Sequence, residues 1–196
     1  MSLLNVNKVD PATGTGLELG SSGDTITIPS GATITNSGTA TGFGEANSPY
    51  FFAYANGNSN VSDGSATKVQ FNVEVLDSDN SNYKYTIPSG KAGIYKFDCS
   101  VKANKGSGSN AIYYYILQIK KNGSVQTDSI LDMRNPASSV SDISQQLNQY
   151  TGITVNASAG DYFEIFAEIF TNGNTPVISG SGTFNTWFSG FRVATV

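Results

Sequence analysis

The sequence predicts an all-β protein, a sandwich or jelly roll of short strands preceded by an extended leader. Three observations predict it. Apolar residues recur at every second position in several runs between residues 46 and 196, Gly- and Asn-rich turns separate those runs, and no window carries a helical period. Short strands broken by such turns close into two packed layers around one core.

Residues 1–45 form the leader and residues 46–196 the head. The leader has few large side chains. Leu17 and Leu19, then Ile26 and Ile28, then Ile34 stand in very short alternating pieces, separated by Gly20-Ser-Ser-Gly23 and Pro29-Ser-Gly31. Each piece offers one apolar face too small to stabilise a sheet alone. The segment is therefore either a flexible leader or one whose apolar residues dock, on copies of itself or on another protein. Docking is the favoured expectation.

In the head, Lys68–Val75 places Val69, Phe71, Val73 and Val75 on one face, with polar neighbours between them. Ile94–Lys102 does the same through Tyr95, Phe97, Cys99 and Val101, so Cys99 is expected to be an inert core residue. Tyr113–Lys121 alternates through Tyr115, Leu117 and Ile119, and Tyr162–Phe170 through Phe163, Ile165, Ala167 and Ile169. Asn56-Gly57, Asp77 to Asn82, Pro88-Ser-Gly90, Asn122-Gly123, Ala159-Gly-Asp161 and Asn172-Gly173 supply the turns. Asn-Gly is the strongest short hairpin signal because both residues tolerate positive φ. Two strands have an apolar second face, with Tyr114 and Ile116 on one and Tyr162, Phe166 and Phe170 on the other. Loops or the leader would cover such a face in a monomer. A subunit interface is the sharper expectation, because aromatic residues are enriched there.

Charge limits the partners. Only 13% of residues are charged, against roughly 25% in an average domain, and the net charge is −4. Lys120-Lys121 is the only adjacent basic pair, so there is no footprint for nucleic acid or for an anionic membrane surface. No run approaches the ~20 apolar residues of a membrane span, and MSLLNVNKVD lacks the layout of a secretory signal. A soluble protein made inside a cell is expected.

Catalysis is not expected. The chain has no histidine, which removes the commonest general base, and one cysteine, which excludes thiolate metal sites and Cys–His pairs. Nothing marks a Ser–Lys dyad or a phosphate-cradling loop. Glu164 and Glu168 share a strand face among aromatics, as expected of an interface rim or a solvated surface. No cofactor is implied. One metal hypothesis arises at Asp77, Asp79, Asn80 and Asn82, whose alternating oxygens suit a structural Ca²⁺. Asn82 stands where a calcium-hand loop needs its glycine, and Pro88 where it needs its closing Glu, so a plain polar turn is the favoured reading.

The order of these motifs resembles the C1q domain, the globular head of the complement and tumour-necrosis-factor-like jelly rolls. The resemblance runs through Tyr50-Phe-Phe-Ala-Tyr54, Val69-Gln-Phe71-Asn-Val73 leading to Tyr83, and Pro88-Ser-Gly90-Lys-Ala-Gly-Ile-Tyr95-Lys-Phe97. It continues through Leu117-Gln-Ile-Lys-Lys-Asn122-Gly123, Ala159-Gly-Asp161-Tyr-Phe163 and Thr183-Phe184 to Trp187-Phe-Ser-Gly-Phe191. It covers residues 50–194 and implies a jelly-roll sandwich of about ten strands in a tight homotrimer with an aromatic-lined axis. The collagen-like stalk of secreted relatives is missing.

Residues 23–34 are similar to stalk segments of bacteriophage tail-fibre proteins. Together the two resemblances imply a virion structural protein: a trimeric fibre, spike or capsid decoration, docked on other virion proteins through Leu17, Leu19, Ile26, Ile28 and Ile34. The alternatives are a tail-fibre adhesin binding a host-surface glycan or receptor through loops such as 104–110 and 133–141, and a soluble ligand of the tumour-necrosis type. Trp187, the only tryptophan, falls in the last predicted strand rather than in a loop, which weakens the glycan reading.

Overall fold

The computed structural model describes residues 9, 11–35, 37, 49–76, 80–81, 83–133, 145–180 and 184–195. The chain divides into two units, Met1–Gly44 and Glu45–Val196. Among the described residues there are strands and turns but no helix.

The first unit is built from turns. The Ser21 carbonyl accepts a hydrogen bond from the Asp24 N–H at 3.0 Å, and the Pro29 carbonyl one from the Ala32 N–H at 3.1 Å. Gly23 and Gly31 occupy the third position of these turns at φ +95° and +84°, where a type II turn needs positive φ. The alternating pieces around Leu17, Ile26 and Ile34 form no ladder among the described residues, consistent with faces too short to pair by themselves.

In the second unit the described strands form two antiparallel sheets. The first sheet contains β1 (Tyr50–Tyr54), β2 (Ser59–Asn60), β4 (Val73–Leu76), β7 (Gly93–Ser107), β10 (Gln146–Ala157), β12 (Thr175–Ile178) and β13 (Trp187–Ala194). The second contains β3 (Thr67–Lys68), β5 (Asn80–Ser81), β6 (Lys84–Thr86), β8 (Tyr114–Lys121), β9 (Ser124–Asp132) and β11 (Tyr162–Phe170). In the first sheet the order is β2-β12-β7-β13-β1-β4, and β10 pairs with β7 on the edge away from β13; in the second it is β5-β6-β11-β8-β9, with β3 also on β11. This is an all-β jelly roll.

β8 and β11 fall where the alternation places them. β7 runs past Lys102 to Ser107, because β12 continues along the edge that β13 occupies. The predicted strand Lys68–Val75 is instead divided. Thr67–Lys68 pairs with β11, the Val69 N–H donates to the Ile165 carbonyl at 2.9 Å, and the chain then joins β1 at Val73. Of the expected apolar face, Val69 and Phe71 are buried before the crossing, whereas beyond it Val73 is half-buried and Val75 is exposed, because β4 is the edge strand of the first sheet. Asn122 (φ +50°) and Gly123 (φ +81°) close the β8–β9 hairpin with two positive φ values, as an Asn-Gly turn should.

The core between the sheets is aromatic. Phe51 stacks on Tyr85 with centroids 4.1 Å apart, and Phe97 on Phe163 at 4.0 Å. Tyr115 is fully buried and donates its hydroxyl to the Val101 carbonyl at 2.8 Å. Cys99 lies in the same core, and burial pushes its thiol well above the usual range, so it is an inert packing residue. Gly190 makes room for this cluster: a Cβ there would stand 2.5 Å from Phe97 Cδ1 and 2.7 Å from Phe51 Cε1.

Asp63 locks one loop end. Its carboxylate accepts from Thr171 N (2.6 Å), Thr171 Oγ1 (2.9 Å) and Gly173 N (2.7 Å), fixing the turn in which Asn172 has φ +58°.

Candidate interaction surface

Each sheet has an outer face, and the strand register decides what stands on it. On the second sheet these are the residues expected to meet another subunit. Ile116 is buried within the single chain, opposite Glu168 and Ile130, so it offers no contact surface. Tyr114, Tyr162, Phe166 and Phe170 are half-buried. The chain itself covers much of them. Lys84 Nζ sits 4.4 Å over the Tyr162 ring and Lys120 Nζ 3.9 Å over the Phe166 ring, and Phe170 lies against Gly64 and Tyr113. Glu164 is buried with Lys68 as its ion pair. Lysine stems shield apolar rings while their ammonium groups stay wet.

The first sheet's outer face is different. Tyr54, Trp187, Ser100 and Tyr150 form one cross-strand row. Phe52, Ser189, Asp98 and Gly152 form the next, and Tyr50, Phe191, Lys96 and Thr154 the third. Aromatic rings thus run across β1, β13 and β10. Tyr150 is 58% exposed, Tyr50 51% and Phe191 43%. Phe52 stacks on Trp187 at 6.0 Å, and Tyr150 approaches the same indole at 6.2 Å. Phe184, just before β13, extends the patch by meeting Tyr54 edge-on at 4.9 Å and Phe52 at 5.6 Å. It is half exposed and its φ of +50° is an uncommon conformation for a bulky residue, costing on the order of 1 kcal/mol.

Polar groups in the middle of this face are already satisfied. The Tyr150 hydroxyl donates to Asp98 Oδ1, Lys96 Nζ lies 3.0 Å from the same oxygen, and Ser100 Oγ donates to Asn148 Oδ1 at 2.9 Å. The hydrogen bond to Asp98, with some burial, pushes the Tyr150 phenol up to about 12, so it remains a donor at neutral pH. Gly152 opens space for the trio: a Cβ there would lie 2.2 Å from Asp98 Oδ1. Aromatic surface around a satisfied polar centre is suited to burial against another protein surface, since no unpaired charge would be stranded.

This face was not singled out from the sequence, although Tyr50-Phe-Phe-Ala-Tyr54 carries the signal. A strand apolar on both faces must cover each of them. The other expected sites are placed as follows. Leu17, Leu19, Ile26, Ile28 and Ile34 are all exposed in the first unit. Asp77, Asp79 and Asn82 lie outside the described residues, as does 134–141 of the loop expected to carry receptor contacts, and of Asn80 only the strand backbone is described. The segment 104–110, expected as a receptor-binding loop, is strand β7 as far as Ser107, and its end is tied down. Asn104 Oδ1 accepts from Gly106 N at 2.8 Å, and Asn174 Nδ2 donates to the Asn110 carbonyl at 2.6 Å. Among the described residues no three metal-ligating His, Cys, Asp or Glu side chains cluster, and no helix is long and apolar enough to cross a membrane.

Comparison with solved structures identifies the class of fold. The globular domain of zebrafish complement 1qA matches over 76% of this chain and 99% of its own, at 18% identity and a TM-score of 0.50. Eiger TNF from S. frugiperda matches over 75% of this chain and 93% of its own, at 8% identity and a TM-score of 0.52. At such identities the likeness shows the fold alone: a C1q/TNF-like jelly roll. No family model and no curated protein matches the sequence.

Proposed function

We propose that the chain is a non-catalytic structural protein of a bacteriophage particle, in which three jelly-roll heads assemble through the outer face of the first sheet. The leader attaches the assembly to other virion proteins, as part of a fibre, spike or capsid decoration. The aromatic rows from Tyr50 to Tyr150 carry the assembly part of this reading, because a contiguous ring-lined face is what a partner of matching shape would bury. A closed assembly of identical copies is the simplest such partner. Attachment through the leader is supported by its exposed Leu17 and Leu19 and by the resemblance of residues 23–34 to phage stalk segments.

Sedimentation of the purified chain tests the assembly, with about three times 20.6 kDa expected. Peptide mass spectrometry of gradient-purified particles tests the location. Absence from particles would refute it. A second reading, a soluble ligand of the tumour-necrosis type, draws on the same fold likeness. It requires a trimer that is never particle-bound and that binds a cell-surface protein. A glycan array separates either from an adhesin.

A further inference from the structure

We infer that residues 23–35 of the leader are two turns of an octad repeat that associate with the same residues of sister copies, forming a stem with a shared core. The inference rests on the trimeric reading of the head and goes beyond it, since it assigns the leader's apolar face to other leaders.

The repeat is visible in sequence and structure together. Gly23, Thr25, Ile26 and Thr27 recur eight residues later as Gly31, Thr33, Ile34 and Thr35. The structure repeats at the same interval. The Asp24 N–H bonds back to the Ser21 carbonyl and the Ala32 N–H to the Pro29 carbonyl, and Gly23 and Gly31 take the same left-handed backbone. Each turn therefore delivers an equivalent Thr-Ile-Thr segment, and each segment presents one isoleucine. Ile26 is 60% exposed and Ile34 57% exposed.

A structural repeat buries its apolar face against its neighbours, and about three are needed before a stack stands alone. Two octads within one chain fall short of that. Copies of the leader supply the missing neighbours with faces of identical spacing. Three heads joined as proposed would hold three leaders at an effective concentration of roughly millimolar, so small contacts suffice. A heterologous socket would have no reason to match an eight-residue interval in turn geometry and apolar position together.

The test uses the full chain in solution, with no other virion protein present. Amide hydrogen exchange is read across residues 24–35 in the wild type and in Ile26→Asn/Ile34→Asn. Protection is expected in the wild type, falling at least tenfold in the variant while the sedimenting mass of the head is unchanged. Ile28→Cys, on the same face as Ile26, supplies an independent readout. With Cys99 buried, mild oxidation should join two leaders by a disulfide between copies. A trimeric chain with unprotected leaders and no cross-link would overturn the stem and leave the head assembly standing. A monomeric chain with unprotected leaders would overturn both. Leaders that become protected only when particle proteins are added would also overturn the stem, in favour of a heterologous socket.

Discussion

Replacing Tyr150 by aspartate removes a ring from the proposed shared face while leaving the jelly-roll core intact. The Tyr150 side chain is 58% exposed in the single chain, whereas full burial of an aromatic residue covers roughly 150–250 Å². Assembly would thus remove on the order of 100 Å² of this residue from water in each copy. At about 25 cal/mol/Å² that is about 2.5 kcal/mol per copy, or about 7 kcal/mol for three. Every ~1.4 kcal/mol is tenfold, so the overall association constant should fall by about five orders of magnitude. The new carboxylate would also face Asp98, adding like-charge repulsion in every copy. Folding of the single head should change by less than ~1 kcal/mol, because the position is exposed and Asp98 keeps Lys96.

Sedimentation at micromolar concentration, paired with thermal melting, reads both quantities. Loss of the larger species with a nearly unchanged monomer melt is expected. Tyr150→Phe should keep most of the association, since it loses only the hydroxyl bond to Asp98. If Tyr150→Asp sediments like the wild type, the first sheet's outer face is not the contact between copies, and the reasoning from its aromatic rows fails.

Asp63→Ala leaves three donors at Thr171 and Gly173 without their acceptor, and hydrogen bonds to a charged group contribute ~1.5–3 kcal/mol each before water returns to the exposed ones. A loss of roughly 2–4 kcal/mol in urea unfolding is expected, and a change below ~0.5 kcal/mol would contradict the locking role. Gly190→Ala drives a methyl into Phe97 and Phe51 and should cost at least ~1–3 kcal/mol in the same assay. At Asp161, burial alone would raise the carboxyl. Hydrogen bonds from Lys121, Asn122 and the Ser158 N–H outweigh it, pulling the carboxyl from 3.8 down to about 2. A folded value below the unfolded one means the contribution is complete above pH ~4 and disappears as pH falls through about 2. Melting temperature should drop across that window, and less so in Asp161→Asn.

How legible this was depends on what each feature requires. The strands Tyr113–Lys121 and Tyr162–Phe170 are readable because a half-buried strand writes its facing directly into alternate residues. The Asn122-Gly123 hairpin is readable because few residues accept two positive φ values. The division of Lys68–Val75 between sheets was not readable, since Val69, Phe71 and Val73 alternate identically whichever strand they pair with. The interaction surface was only half legible. The apolar second face of Tyr162–Phe170 is real, yet the lysines over Tyr162 and Phe166 come from β6 and β8, and only strand order brings them there. The row Tyr54–Trp187–Ser100–Tyr150 draws on four strands lying between positions 54 and 187, so no local pattern contains it.

The two outer faces differ in how cations meet their aromatic rings. Lys68, Lys84 and Lys120 all lie on the second sheet, where two of them cap aromatic rings and the third neutralises the buried Glu164. On the first sheet's outer face Lys96 is engaged with Asp98, and Lys102 stands one row beyond Ser100, opposite Asn148. On that face Gly152 and Ser189 stand in the row between the aromatic ones, where Asp98 and Lys96 fill the space over Gly152. The state of assembly is therefore the property on which every functional reading of this chain turns.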